Sequence, residues 1–326
     1  MKKTTKITIC GYYGHENLGD EMILEALLLK IKEVAPRANV QILNSKNPIV
    51  NTQKMYKTDI FIFGGGSILQ NSTSDTSLLY YLALINLASL LCKRKIMLAN
   101  GIGPIIPRKI PYKIIRHILA HTINRFDYIS VRDTISQKFL QNLLPNRKIH
   151  LVLDPTLIEF QKLNQQLTSQ RSLHHENAFF IFCPHKNSLK KEKIDPEILA
   201  KSLSSIANFY QSTPKIVIFN IKEDLPFAQS IKKLLKNAEI ITPHTATEAA
   251  QALWNAKFVI SSRYHASLLA ISLGLPTLSV SIDPKIIALS ADFNVFPASH
   301  PKILKNPSSL NTQIFKMTEH YKNRIS

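Results

Sequence analysis

The stretch ICGYYGHENLGDEMILEALL, from Ile9 to Leu28, joins an apolar run of strand length to an apolar helical pattern. The loop between them holds three glycines together with histidine, asparagine and aspartate side chains. Glycine lets backbone N–H groups approach a ligand closely, and the N-terminus of the following helix favours an anion. The stretch therefore predicts a strand–turn–helix unit of an open α/β sheet, with a ligand at its turn.

Strand-length apolar runs and helical patterns alternate along the rest of the chain, which is typical of doubly wound parallel sheets. A length of 326 residues is long for one hydrophobic core. The polar segment at 159–177 lacks a clear period and is interpreted as a linker. We therefore expect two Rossmann-like domains, at 1–158 and 178–326, with their strand ends facing a common cleft.

The net charge of +19 admits three interpretations: binding of nucleic acid, of an anionic membrane surface or of anionic substrates. Basic residues are scattered along the chain, without a basic arm or a known nucleic-acid motif. A lysine-rich composition is also typical of AT-rich genomes. The charge by itself therefore does not identify a partner, and we expect no nucleic acid.

The cysteines and the apolar segments indicate a cytoplasmic protein. Cys10, Cys92 and Cys183 are far apart in apolar runs, so we expect buried thiols in a reducing compartment. The N-terminus has no apolar signal-peptide core. The apolar stretch Ser77–Cys92 is shorter than the roughly 20 residues of a spanning helix, so it predicts a buried core helix.

No spacing typical of metal ligands is present in the sequence. The nearest candidates are the pair His174 and His175, in the polar segment, and His117 with His121, which lack an acidic residue nearby. The sequence therefore predicts no metal site.

Eight of the nine glycines lie in three loops that follow predicted strands, at residues 11–20, 64–67 and 101–104. A tight turn explains any one loop, whereas the concentration of glycine in three loops favours a ligand cleft. None of the loops matches GxxxxGK[ST], which argues against a Walker-type NTPase, or GxGxxG, which weakens a dinucleotide site.

Charged side chains also follow predicted strands. Asp20 begins a helix, where a carboxylate is electrostatically favoured, and it is alternatively a general base. Arg263 and His265 end one strand and Lys285 follows the next, a set suited to binding a doubly charged anion and donating a proton. Arg132 ends a strand of the first domain without an evident structural role. Each of these residues, taken singly, is more simply a surface charge.

These loops form an ordered series of motifs: Gly11-Tyr12-Tyr13-Gly14 with Asn17 and Gly19-Asp20-Glu21, Gly64-Gly65-Gly66-Ser67, Gly101-Ile102-Gly103-Pro104, Ser130-Val131-Arg132-Asp133, Asp154-Pro155, Ser261 with Arg263 and His265, and Asp283-Pro284-Lys285. In its order the series resembles the polysaccharide pyruvyl transferase family. The resemblance extends over most of the chain, from the first strand to the residues after Lys285.

The resemblance implies a GT-B-like enzyme without metal or cofactor. Its donor would be phosphoenolpyruvate, and its product a pyruvate ketal on a sugar of a cell-surface or cell-wall polysaccharide precursor. The N-terminal domain would lie on the acceptor side and the C-terminal domain on the donor side. The family's functional positions fall here on Asn17, Asp20, Arg132, His265 and Lys285.

Together with the chemistry of the residues, the resemblance defines two sets of candidates. We expect His265 to be the general acid and Asp20 to accept the acceptor's proton. The candidate substrate-binding residues are Asn17, Arg132, Arg263, Lys285, Gly14, Gly65, Gly66, Ser67 and Gly103.

Two alternatives and one extension stay open. A GT-B nucleotide-sugar glycosyltransferase would share the glycine loops and would bind UDP or GDP. A nucleic-acid-binding module would bind DNA with strong salt dependence. The extension is a basic face that docks on the inner face of an anionic membrane, where a lipid-linked glycan acceptor would lie.

Overall fold

The computed structural model describes four stretches of the chain, residues 4–43, 48–72, 74–169 and 179–325. The chain divides into two compact units. Unit 1 contains Met1–His15 and Asp20–Thr156, and unit 2 contains Glu16–Gly19 and Leu157–Ser326. Each unit holds one parallel β-sheet whose strands alternate with helices, so the predicted fold class of two doubly wound domains is confirmed.

Unit 1 is built on a six-stranded sheet in which all neighbouring strands are parallel. The strands are β1 (Lys6–Cys10), β2 (Asn39–Leu43), β3 (Ile60–Gly64), β4 (Arg94–Asn100), β5 (Tyr128–Val131) and β6 (His150–Leu151). Their order is β2-β1-β3-β4-β5-β6, so the direction of winding reverses between β1 and β3. Open α/β sheets bind ligands at the carboxyl ends of the strands beside such a switch point.

The helices of unit 1 are α1 (Leu18–Val34), α2 (Pro48–Met55), α3 (Asp75–Leu91), α4 (Tyr112–Ile123) and α5 (Thr134–Leu143). The helix α3 buries Leu82, Ile85 and Ala88 in the core of unit 1, which confirms the core helix expected at Ser77–Cys92. Among the described residues, no helix is long and apolar enough to cross a membrane.

Unit 2 is built on a five-stranded parallel sheet. The strands are β7 (Phe179–Cys183), β8 (Thr213–Val217), β9 (Glu239–Ile241), β10 (Val259–Ser261) and β11 (Thr277–Ser279). Their order is β11-β10-β7-β8-β9, which places the switch point between β7 and β10. The strand β7 reads FFIFC and is buried over four of its five residues, as expected of a parallel strand covered on both faces.

The helices of unit 2 are α6 (Thr156–Ser169), α7 (Lys186–Lys191), α8 (Pro196–Tyr210), α9 (Ile221–Leu234), α10 (Ala246–Leu253), α11 (Tyr264–Ser272), α12 (Pro284–Asp292) and α13 (Pro307–Ile325), with a short 3-10 helix at Pro301–Lys305. The helix α6 begins at the last residue of unit 1. Apolar side chains of β7, β8, α8, α9 and α13 form one continuous core.

The sequence reading missed several helices. The segment expected as a linker, 159–177, forms part of α6 up to Ser169, and residues 170–177 lie outside the described residues. The part of the segment in α6 carries Phe160, Leu163 and Leu167 at helical spacing among polar residues, a pattern that the linker interpretation overlooked. The helices α2, α7 and α12 were also not predicted.

The three cysteines are free and buried, which confirms their interpretation as small hydrophobic residues. Burial raises the pKa of the Cys10 thiol to about 12 and that of Cys92 to about 11. Thiols with such values stay protonated at neutral pH and are therefore poor nucleophiles.

Candidate functional site

In unit 1, the first and second glycine loops lie at the switch point, because one follows β1 and the other follows β3. The Tyr13 hydroxyl donates a hydrogen bond to the Gly64 carbonyl at 2.5 Å and so joins the two loops. Asp20 is buried, and a methyl carbon on Gly66 would lie 3.0 Å from its Oδ1. The structure therefore brings Asp20 and the GGGS loop together, as a site at this crevice requires.

Gly65 has a structural reason to be glycine. Its φ of +59° lies in the left-handed region, and a methyl carbon there would lie 2.0 Å from Cγ2 of Ile23 in α1. The turn after β3 thus packs directly on the helix that follows β1. This close packing positions Gly66 and Ser67 at the carboxyl end of the sheet.

Gly14 and Gly103 occupy two further turns of unit 1. The Gly14 N–H donates to Oε1 of Glu21 at 2.6 Å, so a side chain of α1 closes the first loop. Gly103 packs on Gln70, where a methyl carbon would lie 2.5 Å from Cβ and Oε1. Both contacts shape the loops around the site.

Arg132 makes a buried ion pair at the end of β5. Its Nη1 lies 2.7 Å from Oδ2 of Asp154, and both side chains are almost fully buried. Its Nη2 donates to the Ser67 hydroxyl at 3.3 Å. The other Asp154 oxygen accepts hydrogen bonds from the N–H and the hydroxyl of Thr156. Arg132 is therefore fixed beside Ser67, and Asp154, to which the sequence reading gave no role, is the residue that holds it.

Asp133, next to Arg132, caps the helix α5. Its Oδ1 accepts a hydrogen bond from the Ser136 N–H at 2.7 Å. Its Oδ2 is buried and has no hydrogen-bond partner among the described residues. A methyl carbon on Gly101 would lie 3.4 Å from this oxygen, so the third glycine loop passes closely over it.

In unit 2, the loops after β7 and β10 lie at the switch point. Arg263 ends the β10 loop, and its guanidinium lies 2.6 Å from the buried Asp224 carboxylate and 3.1 Å from Glu223, both in α9. Burial raises the pKa of Asp224, while the positive charge of Arg263 opposes that rise. Arg263 thus has two acidic partners, which the sequence did not indicate.

His265 is buried in the first turn of α11, beside the chain segment Glu16–Gly19. A methyl carbon on Gly19 would lie 2.1 Å from Nδ1 of His265. The segment is held in unit 2 by two backbone hydrogen bonds, from Leu18 N to Phe219 O and from Ile221 N to Glu16 O. The special residues of the first loop therefore include a short segment that packs on the candidate acid.

The N-terminus of α11 has no side-chain cap, because its N-cap residue is Arg263. By contrast, Asp, Asn or Thr side chains cap α8, α9, α10 and α12. The Ser262 hydroxyl beside it is buried without a hydrogen-bond partner among the described residues. A helix N-terminus favours an anion, and this one lies at the switch point of the sheet.

Asn17 and Lys285 are placed by their own segments of unit 2. Asn17 forms an isolated antiparallel bridge with Asn220, which caps α9. Lys285 lies in the first turn of α12, where its N–H donates to Asp283 and its Nζ lies 3.4 Å from Oδ2 of the same residue. The ion pair is partly exposed, so the ammonium group stays accessible to an anion.

His185 is a residue that the sequence reading missed. It follows β7 and is the N-cap of α7, but its side chain makes no capping hydrogen bond. Burial and the charges of Arg263, Lys285 and Lys191 lower its pKa to about 2. The available signal was its position directly after an apolar strand, the same signal that identified Arg263 and His265.

Among the described residues, no group of three His, Cys, Asp or Glu side chains is arranged as metal ligands. His174 and His175 lie outside the described residues. On α4, the ring of His121 lies 2.9 Å from the guanidinium of Arg125.

A sequence model of the family described as polysaccharide pyruvyl transferase matches residues 17–284, which is more than half of the chain. The chain belongs to this family. The matched range contains the GGGS, GxGP and SVRD motifs and His265, while Gly14 precedes it and Lys285 directly follows it. A search of curated protein sequences finds no match.

Solved structures are similar to this member of the family in fold. The UDP-GlcNAc 2-epimerase of Methanocaldococcus jannaschii, in complex with UDP-GlcNAc and UDP, has 17% identity and a TM-score of 0.57, over 97% of this chain and 93% of its own. The UDP-GlcNAc 2-epimerase of Neisseria meningitidis, bound to UDP-GlcNAc, has 14% identity and a TM-score of 0.56, over 98% and 93%.

A mutant O-GlcNAc transferase of Thermobaculum terrenum matches at 11% identity and a TM-score of 0.50, over 98% of this chain and 63% of its own. At such identities these likenesses concern the fold alone. They confirm the expected GT-B-like class of two Rossmann-like domains.

Proposed function

We propose that this transferase moves the pyruvyl group of phosphoenolpyruvate onto two hydroxyls of a sugar in a cell-surface or cell-wall polysaccharide precursor, where it forms a ketal. The observation that carries the proposal is the uncapped N-terminus of α11 at the switch point of unit 2, in a chain of this family. A helix N-terminus favours an anion, and His265 lies in the first turn of this helix.

The donor is a trianion that carries a phosphate and a carboxylate, and unit 2 has the groups to bind it. The N-terminus of α11 and the Lys285 ammonium are the donors that suit its oxygens. The guanidinium of Arg263 is already paired with Asp224 and Glu223. Arg263 therefore contributes to donor binding indirectly, by holding the loop after β7 through its hydrogen bond to the Pro184 carbonyl. We therefore assign donor binding to unit 2.

The proposed reaction needs one proton donor and two proton acceptors. A proton adds to C3 of the enol, and the resulting cation at C2 is attacked by one sugar hydroxyl, which loses its proton. The C2–O bond to phosphate then breaks, and the second hydroxyl attacks C2 and loses its proton. Of the two hydroxyl protons, one replaces the proton given to C3 and the other leaves with phosphate.

We assign the protonation of C3 to His265 and the acceptance of the first hydroxyl proton to Asp20. Histidine is the side chain that most often transfers protons in active sites, and the burial of His265 beside Gly19 restricts the orientation of its ring. Asp20 lies at the switch point of unit 1 against Gly66. We assign acceptor binding to unit 1, with Ser67 and the Arg132–Asp154 pair as its polar groups, and we also assign substrate binding to Asn17, in the Glu16–Gly19 segment of unit 2. The proposed reaction uses no metal and no cofactor.

The first experiment is thermal unfolding with phosphoenolpyruvate, UDP, GDP and UDP-sugars titrated separately. A ligand that binds only the folded state raises the midpoint with its concentration. We expect a saturable rise with phosphoenolpyruvate that Lys285→Ala reduces, while Lys201→Ala, an exposed lysine on α8, leaves it unchanged. A rise with UDP or GDP compounds alone would instead support the nucleotide-sugar glycosyltransferase.

The second experiment follows radiolabelled phosphoenolpyruvate into glycan acceptors extracted from the source cells, in buffer with and without EDTA. We expect transfer that EDTA does not change and that His265→Ala abolishes. The matched control is His117→Ala, a histidine exposed on α4. Near-full transfer by the His265→Ala protein would refute the role of the general acid.

The setting of the reaction is also a proposal. The three free cysteines suit the reducing cytoplasm. Lys186, Lys190 and Lys193 line a cavity of about 460 Å³ together with the apolar Pro226 and Phe227. This amphipathic, basic surface supports contact with an anionic leaflet that carries a lipid-linked acceptor. Co-sedimentation with phosphatidylglycerol vesicles, but not with phosphatidylcholine vesicles, is the expected result.

A further inference from the structure

His185 lies at the switch point of unit 2, in the loop after β7. The strand β7 pairs with β10, and the loop after β10 leads to Arg263 and His265. The register pairs Cys183 with Ser261, so both loops leave the sheet at the same level. His185 therefore belongs to the crevice in which open α/β sheets bind ligands.

A buried ion pair holds the backbone on both sides of His185. Arg263 Nε donates to the Pro184 carbonyl at 3.3 Å, and Oδ1 of Asp224 accepts from the Lys186 N–H at 3.0 Å. The same guanidinium and carboxylate lie 2.6 Å apart, with Asp224 fully buried. Breaking such a pair leaves a buried charge without a partner and is strongly destabilising. The pair thus fixes the residues before and after His185.

The imidazole of His185 has no hydrogen-bond partner among the described residues, although it is only partly exposed. The charged groups around it are the cations Arg263, Lys285 and Lys191, and Asp224 and Glu223 beside Arg263. Burial and the nearby cations keep its pKa far below neutral, so the ring is uncharged when the enzyme works. A neutral imidazole has one N–H to donate.

We propose that His185 is a neutral hydrogen-bond donor to an anionic oxygen of the donor substrate, and that the Arg263–Asp224 pair is the device that positions it. This inference rests on the proposed function, because it takes phosphoenolpyruvate as the ligand. The neighbouring cations attract the anion, and the N–H of the imidazole donates a hydrogen bond that orients it. Because the imidazole is neutral, binding does not require the desolvation of one more charged group.

The test is isothermal calorimetry of phosphoenolpyruvate with four proteins: wild type, His185→Ala, His185→Gln and His244→Ala. Glutamine keeps an N–H donor, whereas alanine removes it. His244 is the matched control, because it is an exposed histidine after β9, at the edge of the same sheet. Thermal unfolding of each variant shows whether it is folded.

We expect His185→Ala to raise the dissociation constant for phosphoenolpyruvate about 10- to 100-fold, the range for a hydrogen bond to a charged group. We expect His185→Gln to stay within about fivefold of wild type, with the same pH profile of transfer, and His244→Ala to bind as wild type. Wild-type affinity in a folded His185→Ala protein would overturn the inference alone. A folded wild type that does not bind phosphoenolpyruvate would overturn the proposed function and this inference together.

A double-mutant cycle tests the positioning role of the ion pair. Asp224→Asn removes the charge and keeps an oxygen for the Lys186 N–H. If the pair acts through His185, Asp224→Asn weakens phosphoenolpyruvate binding in the wild type but adds little in the His185→Ala background. If Asp224→Asn changes the dissociation constant by the same factor in both backgrounds, the positioning role is refuted. If His185→Gln loses turnover but keeps its affinity for phosphoenolpyruvate, His185 transfers a proton and does not act as a hydrogen-bond donor.

Discussion

The contact between Gly19 and His265 allows a sharp test by the addition of one methyl group. In a Gly19→Ala protein the new carbon would lie 2.1 Å from Nδ1 and 2.8 Å from Cγ of the imidazole, whereas ordinary contacts are 3.4–4 Å. The backbone of Gly19 is not in the left-handed region, so the substitution adds a steric clash without conformational strain. Either the ring or the Glu16–Gly19 segment must move by roughly 1 Å or more.

A displacement of about 1 Å in a catalytic group lowers a rate about 100-fold, which corresponds to about 2.7 kcal/mol in the activation free energy. We therefore expect transfer of label from phosphoenolpyruvate to fall about 100-fold in Gly19→Ala. Overpacking of this kind lowers the free energy of unfolding by about 1–3 kcal/mol. The rate should thus fall much more than the stability.

The matched control is Gly274→Ala. Gly274 has a φ of +70° and no atom within 4 Å of an added methyl, so its substitution strains the backbone by about 1–2 kcal/mol without touching His265. We expect it to lower the unfolding midpoint and leave the transfer rate close to that of wild type. A Gly19→Ala protein that keeps more than about a third of wild-type transfer would refute the argument that this contact positions a required imidazole.

Three further predictions concern stability. Asp154→Ala removes the carboxylate that pairs with the buried Arg132, so the free energy of unfolding should fall by about 3–5 kcal/mol. An unchanged midpoint of denaturant unfolding would contradict a stabilising ion pair. In Gly65→Ala the new methyl carbon would lie 2.0 Å from Ile23 at a φ of +59°, whereas in Gly14→Ala it would meet no atom within 4 Å at a similar φ. Gly65→Ala should therefore lower the free energy of unfolding more than Gly14→Ala does. Equal losses in the two variants would contradict the packing of Gly65 on Ile23. The pKa of His185 is lowered to about 2 in the folded protein, so the folded state binds fewer protons than the unfolded state. The free energy of unfolding is therefore unaffected by His185 above about pH 6.5 and falls below that pH by up to about 1.4 kcal/mol per pH unit. His185→Gln should remove this contribution to the slope in acid denaturation.

The strands and the glycine loops were predictable because their signals are local. Parallel strands buried on both faces form continuous apolar runs such as FFIFC in β7 and IFIFG in β3. The loops after β1 and β3 were predictable for the same reason, since they directly follow those runs. The helix α6 was missed because its apolar residues are spread among many polar ones, and the polar composition favoured a linker.

The partners of the charged residues were not predictable. Arg132 pairs with Asp154, 22 positions away, and Arg263 pairs with Asp224, 39 positions away. These pairs depend on which strands become neighbours in the sheet, and strand order is not written in any local pattern. Sequence reasoning therefore treated Arg132 and Arg263 as ligand-binding cations, whereas each also has a carboxylate partner in the fold.

By itself, then, the sequence determined the α/β class, the two sheets and the motif series that identifies the family, because apolar periodicity and glycine turns act over a few residues. Only the tertiary structure decided which loops share a switch point, that Gly19 packs on His265, and that an ion pair holds the backbone on both sides of His185. The strand orders β2-β1-β3 and β10-β7-β8 bring together the loops at each switch point, which are far apart in the chain. The packing of whole sheets and helices sets these orders.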